Sequence, residues 1–192
     1  MSSSNPSDHG FPPNERNRKT FRRSSQRLRF APKEIEMTSS ATPKTKDSPF
    51  GAWKVDHSAI RVPDFEAAIA WYTNTLEFRL LKHLAFAGLT FAFLEPAGGG
   101  FVFELLAGPG AEGRPKYEDL HDSYRLAGWH HVCFRVDNVD DAVEQLRKRS
   151  VKIVSEPHDV APMGLRVAFF SDPWGNLFEF TQLLAGSTES VS

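Results

Sequence analysis

The 192-residue chain has one cysteine, Cys133, so it can form no intramolecular disulfide, and a reducing compartment suits it. Set in an apolar strand pattern with no second thiol in the chain, Cys133 reads as a small buried hydrophobe rather than a reactive centre. Long apolar runs are missing too. No stretch of about 18 apolar residues is present to span a membrane, and there is no apolar core of the secretory type. Nor is there an overall excess of either charge, with 23 basic and 24 acidic side chains.

That balance conceals a division. Residues 1–50 carry ten Lys/Arg and five Asp/Glu among many Ser, Pro, Asn and Thr, whereas the remaining 142 residues carry 13 basic and 19 acidic side chains. A polar basic segment of this kind lacks the apolar surface to pack and is expected to be a disordered extension. The acidic remainder argues against a nucleic-acid partner. Within the extension, Arg16 to Phe30 (RNRKTFRRSSQRLRF) has seven positive charges and no acid, the composition of a mitochondrial transit peptide. Asp8 and Glu15 precede it, however, and Phe21, Leu28 and Phe30 make a poor helical stripe. Met37 offers an internal start for a shorter product. The expectation is a cytoplasmic protein, with mitochondrial import through the Arg-rich segment as the alternative. Residues 51–184 are expected to form the folded domain and 185–192 a flexible tail.

The domain contains one unit twice. GWHHVCFRVD, from Gly128 to Asp137, follows the plan of WKVDHSAIRVP, from Trp53 to Pro63: an aromatic, a histidine, alternating apolar residues, then a helical segment. Superposing His57 on His131 sets an offset of 74. Asp64 and Asn138 then become equivalent N-caps. Phe65, Ala68, Ile69 and Tyr72 match Val139, Ala142, Val143 and Leu146 as one apolar helical face each. Three strand-like runs follow each helix: Phe78 to Leu84, Leu89 to Leu94 and Phe101 to Leu106 in the first copy, and Lys152 to Ser155, Leu165 to Phe170 and Leu177 to Leu183 in the second. Each copy is therefore β-α-β-β-β, over 53–106 and 128–183, joined by a Gly/Pro-rich linker, 107–127, with a short helical turn around Tyr117 to Arg125.

Strand alternation divides the side chains by face. Val132, Phe134 and Val136 face the helix, and His131, Cys133 and Arg135 face away. In the first copy Ile60 and Val62 oppose His57, Ala59 and Arg61. By the same rule His130 faces opposite to His131 and is left to packing or an edge hydrogen bond. The repeat carries a second polar pair in apolar strands, Glu104 in GFVFELL and Glu179 in GNLFEFT, which follow their histidines by 47 and 48 residues. An ionised carboxylate among phenylalanines needs compensation. Either Arg61, Arg135 or Arg166 supplies it and the histidines are satisfied core residues, or a divalent cation does. Imidazole and carboxylate suit Ni, Zn, Co, Mn or Fe(II) alike. His83, His121 and His158 lack repeat counterparts and receive no metal role.

The motifs DHSAIRVPD, AIAWYTNTLEFRLL, HHVCFRVDNVDDAV and FFSDPWGNLFEF resemble the vicinal oxygen chelate superfamily, which includes glyoxalase I, bleomycin-resistance proteins, methylmalonyl-CoA epimerase and extradiol dioxygenases. The resemblance covers about Trp53 to Leu183. It implies an α+β, glyoxalase-like fold in which two βαβββ modules form a curled sheet around a metal-binding cleft, closed within one chain or across a homodimer. The family's ligand positions match His57, Glu104, His131 and Glu179. Glu77 stands where the family often has glycine after the first helix, which implies a different backbone conformation there. DPWG replaces the common DPDG turn and adds Trp174, exposed or facing a pocket.

All four ligand positions being competent, the resemblance implies a metal-dependent isomerase or lyase acting on a small substrate chelated through neighbouring oxygens, with Glu179 as catalytic base and Glu104 its partner. The alternatives are an Fe(II) dioxygenase of the same fold and a non-catalytic binding or resistance protein. Phe91, Phe93, Arg114, Tyr117, Tyr124, Arg125, Met163 and Trp174 are the candidate pocket residues.

Overall fold

A computed structural model of the chain describes Pro49 and residues 51–187. The expectations for the basic extension, its targeting role and the end of the C-terminal tail lie outside the described residues. No helix among those described is long and apolar enough to cross a membrane.

The first module comprises β1 (His57–Arg61), α1 (Phe65–Thr75), β2 (Arg79–Phe86), β3 (Leu89–Glu95) and β4 (Val102–Ala107). After a linker holding the short helix α2 (Leu120–Ser123), the second repeats the order with β5 (His131–Arg135), α3 (Val139–Lys148), β6 (Lys152–Val160), β7 (Leu165–Ser171) and β8 (Leu177–Leu183). Both long helices begin as their caps dictate. Asp64 accepts the Ala67 N–H and Asn138 accepts the Asp141 N–H, which satisfies a backbone donor that helix geometry leaves open. The chain folds into two separate four-stranded sheets, ordered β1-β4-β3-β2 and β5-β8-β7-β6, with the first strand of each module parallel to its last. This is the α+β class and the doubled βαβββ order expected from the repeat.

Glu77 follows Leu76, the C-cap of α1. It adopts the left-handed conformation itself, with φ at 58°, at a steric cost glycine would avoid. Its carboxylate accepts a hydrogen bond from Arg149 of the second module at 2.6 Å, a contact glycine could not supply. In the DPWG turn, Gly175 takes the positive φ of 84° and its N–H closes the turn on the Asp172 carbonyl.

The two modules meet through their helix-side faces. Phe103 of β4 packs edge-to-face on Phe178 of β8 with ring centroids 6.0 Å apart, and Phe134 of β5 lies between Phe78 and Phe101 at 6.1 and 6.3 Å. Aromatic pairs of this geometry contribute about 0.5–1.5 kcal/mol each beyond the area they bury. At the same junction the buried Tyr72 hydroxyl donates to Asp172 at 2.7 Å. Asp172 also accepts from the Asn176 amide and from the backbone N–H groups of Trp174 and Asn176. Trp174 is half-buried, its ring stacked 6.4 Å from Tyr72.

Burial, then the charge of Asp172 and the hydrogen bond to it, raises the Tyr72 phenol well above its usual value. A group whose folded pKa is raised contributes stability that is present below its unfolded pKa, about 10, and lost as pH rises through the folded value. Tyr72→Phe should therefore lower stability by about 1–3 kcal/mol at neutral pH and remove part of the decline above about pH 10. Urea denaturation across that range checks both. Unchanged midpoints at neutral pH, or parallel alkaline curves, would contradict this account of the junction.

Candidate metal centre

Strand register brings each histidine to its glutamate. β1 and β4 run parallel with His57 opposite Val102 and Ala59 opposite Glu104, so His57 and Glu104 share a face two residues apart, within reach of long side chains. Their Nε2 and Oε2 atoms lie 3.2 Å apart. The second module repeats the register, with His131 opposite Leu177 and Cys133 opposite Glu179, and closes its pair at 3.1 Å. Both carboxylates are largely covered, at 12% and 16% side-chain exposure. Phe93, the cross-strand partner of Glu104, stands edge-on to His57 at 5.9 Å; Phe169, the partner of Glu179, stands edge-on to His131 at 5.4 Å.

The other nitrogen of each ring is held as well. His57 Nδ1 lies 2.7 Å from an Asp56 carboxylate oxygen. A carboxylate there only accepts, so Nδ1 carries the hydrogen and a neutral His57 keeps its lone pair on Nε2. In the second module Ser123 Oγ donates to the Leu120 carbonyl at 2.6 Å, which leaves its oxygen to accept from His130 Nε2 at 3.0 Å. His130 Nδ1 is then an acceptor, 2.8 Å from His131 Nδ1, whose hydrogen it takes. Burial, then the neighbouring His131 and Arg114, holds the His130 imidazole below its usual value and keeps it neutral. A neutral His131 likewise keeps its lone pair on Nε2. In both modules an imidazole Nε2 faces a carboxylate oxygen, a contact that either a proton or a metal cation between the two atoms would make attractive.

A metal ion fits that description. Imidazole nitrogen paired with carboxylate oxygen is a donor set that divalent cations take, and each His–Glu pair would hold such an ion. The arginine alternative is not realised. Arg61 donates to the Gly108 and Pro109 carbonyls at 3.1 and 2.9 Å, Arg166 pairs with Asp140 and Asp159, and Arg135 forms no ion pair among the described residues. The four residues are nevertheless not gathered at one point: among the described residues no group of three or more His, Cys, Asp or Glu could hold a metal ion. His57 and His131 line one cavity of about 470 Å³, to which neither glutamate contributes.

Two expectations need correction. His130 does not turn away from His131, because β5 begins at His131 and alternation does not reach the residue before it. Its ring instead lies 5.1 Å from that of His131 and stacks on Tyr124 at 5.2 Å. Cys133 is exposed rather than buried, on the open face it shares with His131. Desolvation of its sulfur still pushes the thiol up to about 11, which keeps it protonated and unreactive.

Among the pocket candidates, Phe93 backs His57 and Tyr124 backs His130, while Arg114, Tyr117 and Trp174 line a second cavity. Phe91 pairs with Leu84 and Leu106, Arg125 is engaged by Asp122, and Met163 is exposed. Asp56 and Phe169 were not anticipated from sequence. Asp56 could have been found as the repeat counterpart of His130, and Phe169 from its strand position opposite Glu179.

A family model described as the Glyoxalase/Bleomycin resistance protein/Dioxygenase superfamily matches residues 54–180. Methylmalonyl-CoA epimerase, mitochondrial, from Bos taurus is 31% identical over 133 residues, covering 67% of this chain and 74% of the relative. Lactoylglutathione lyase from Salmonella typhimurium is 29% identical over 135 residues, covering 66% and 90%. The solved structure of a glyoxalase family protein from Enterococcus faecalis shares the fold with a TM-score of 0.57 at 20% identity, covering 67% of this chain and 97% of that one. The chain belongs to the Glyoxalase/Bleomycin resistance protein/Dioxygenase superfamily.

Proposed function

We propose that this protein is a divalent-metal-dependent isomerase or lyase that moves a proton on a small substrate bearing two neighbouring oxygens. His57, Glu104, His131 and Glu179 are its metal ligands, and Glu179 is the base. The observation that carries this reading is the twofold pairing of an oriented imidazole Nε2 with a carboxylate oxygen, at 3.2 and 3.1 Å. When bound, the cation supplies Lewis acidity that makes the C–H beside a chelated oxygen easier to ionise. Glu179 Oε takes that proton and returns it, while Glu104 stands on the other side of the site. Asp56 and His130 hold the two imidazoles in the ligating orientation. An epimerase and a lyase among the relatives suit a proton-moving role.

The site is completed by a second copy of the chain. With the helix-side faces packed together, His57, Ala59 and Arg61 of one module and His131, Cys133 and Arg135 of the other are left exposed. Val55 and Trp129, each two residues before a ligand histidine, are 87% and 94% exposed. In this reading His57 and Glu104 of one chain meet His131 and Glu179 of its partner.

Purified without added metal and reconstituted, the parent protein should bind metal stoichiometrically by elemental analysis, and His131→Ala and Glu179→Ala should not. A folded parent that takes up no metal under any reconstitution overturns the reading. Mixing tests the shared site. A His57→Ala/Glu104→Ala chain and a His131→Ala/Glu179→Ala chain should each be inactive, and together should regain one intact site per mixed dimer. Mixed dimers that form without recovering metal binding place the site within one chain. For the orienting residues, His130→Phe should weaken metal affinity about 10–100-fold, and His130→Asp, which copies Asp56, should restore most of it; equal affinity in both variants would leave His130 without that role.

A further inference from the structure

A second cavity, of about 620 Å³, lies between the end of β1, the linker and the DPWG turn. No ligand histidine or glutamate lines it. It is notable for its charge. Although the domain is acidic, Arg61, Arg114, Lys116 and Lys152 all line this one cavity, and none forms an ion pair among the described residues. The arginines at 79, 125, 147, 149 and 166, by contrast, are each matched to a carboxylate. Of the eight cations without an ion pair among the described residues, four thus line this one cavity, the others being Lys54, Lys82, Arg135 and Lys148.

Two of the four are already oriented. Arg61 is anchored by the Gly108 and Pro109 carbonyls and Arg114 by the Trp129 carbonyl, and each guanidinium, with five N–H donors, has others left over. Lys116 and Lys152 are exposed and free to close on a ligand, with the Lys152 ammonium 5.7 Å from the centre of the Tyr117 ring. Two acids also line the cavity. Asp172 is turned inward, its carboxylate held by Tyr72, Asn176 and backbone N–H groups, which leaves Glu112 as the one acid opposing the four cations. Tyr117 and Trp174 give the cavity an apolar wall.

We propose that this cavity is a binding site for a multiply charged oxyanion, a phosphate-type or polycarboxylate group carried by a small organic molecule. Guanidinium forks match either group in paired hydrogen bonds, and the ammonium groups add charge without demanding geometry. Ile60, Arg114 and Asn176 line both this cavity and the one holding His57 and His131. The two therefore adjoin, and a ligand anchored here lies beside the cavity that holds the histidines.

Calorimetric titration of the full chain, stripped of metal with EDTA, tests the site with pyrophosphate and with citrate. Saturable 1:1 binding that weakens as salt is raised is expected, and the tighter of the two probes assigns the group. Lys116→Gln/Lys152→Gln should weaken binding at least about tenfold, whereas Lys148→Gln, which removes an unpaired cation on α3, should leave it within about twofold. Parent affinity in His57→Ala/His131→Ala would separate this site from the proposed metal ligands, whatever becomes of that reading. No saturable binding of either probe overturns the proposal, as does equal loss in the Lys148 variant or loss of binding in the histidine variant.

Discussion

The contact on which this molecule depends is the buried junction where Tyr72 of the first module donates to Asp172 of the second. Burial raises the Asp172 acid above its usual value, and the donors from Asn176, Tyr72 and the turn backbone oppose that shift without cancelling it. Such a group is tolerated because no buried side-chain nitrogen or oxygen among the described residues lacks a hydrogen-bond partner. Phe103, Phe178 and Phe134 pack around it, drawing the helix-side faces of both sheets into one interior. Since a strand has only two faces, committing one to this interior turns the other outward. The outward placement of His57 and His131 thus follows from the same apolar pattern that builds the core.

Much of this was legible in the sequence because it is local or repeated. The caps at Asp64 and Asn138, the repeated β-α-β-β-β order and the faces on which the two histidines and two glutamates lie follow from an offset of 74 and from the two-residue period of a strand; which strands pair, and in what register, does not. Binary pattern identifies an apolar face but not its cover. Ile60 and Phe134 were assigned correctly to the helix side, but nothing in their spacing says that the two modules would pack against each other there. Cys133 shows the consequence: its face was known, and its exposure depended on what lay opposite. His130 failed for a different reason. Alternation holds only inside a strand, and β5 begins one residue later.

The two halves of the proposed site share ligands but not surroundings. Asp56 orients its histidine with a full negative charge, whereas His130 does so as a neutral ring at the head of a relay ending on the Leu120 carbonyl. A carboxylate acceptor strengthens the electron donation of the ring it holds, and an imidazole acceptor does so less. The halves are therefore chemically unequal despite their matching geometry.

That inequality bears on how a proton would be moved. If each site takes one half from each of two copies, the dimer's symmetry makes the two sites identical while each site remains unsymmetrical inside. A substrate chelated between the halves then presents one face to Glu104 and the other to Glu179, with the greater negative charge on the side of Asp56. Inverting a carbon centre needs a proton removed from one face and delivered to the other, whereas shifting a proton between neighbouring carbons needs a carboxylate on one face alone. In the proposed reading both reactions lie within reach of one ligand set, and substrate geometry chooses between them. The cavity lined by Arg61, Arg114, Lys116 and Lys152 is where an anionic ligand would be held in the register that makes the choice.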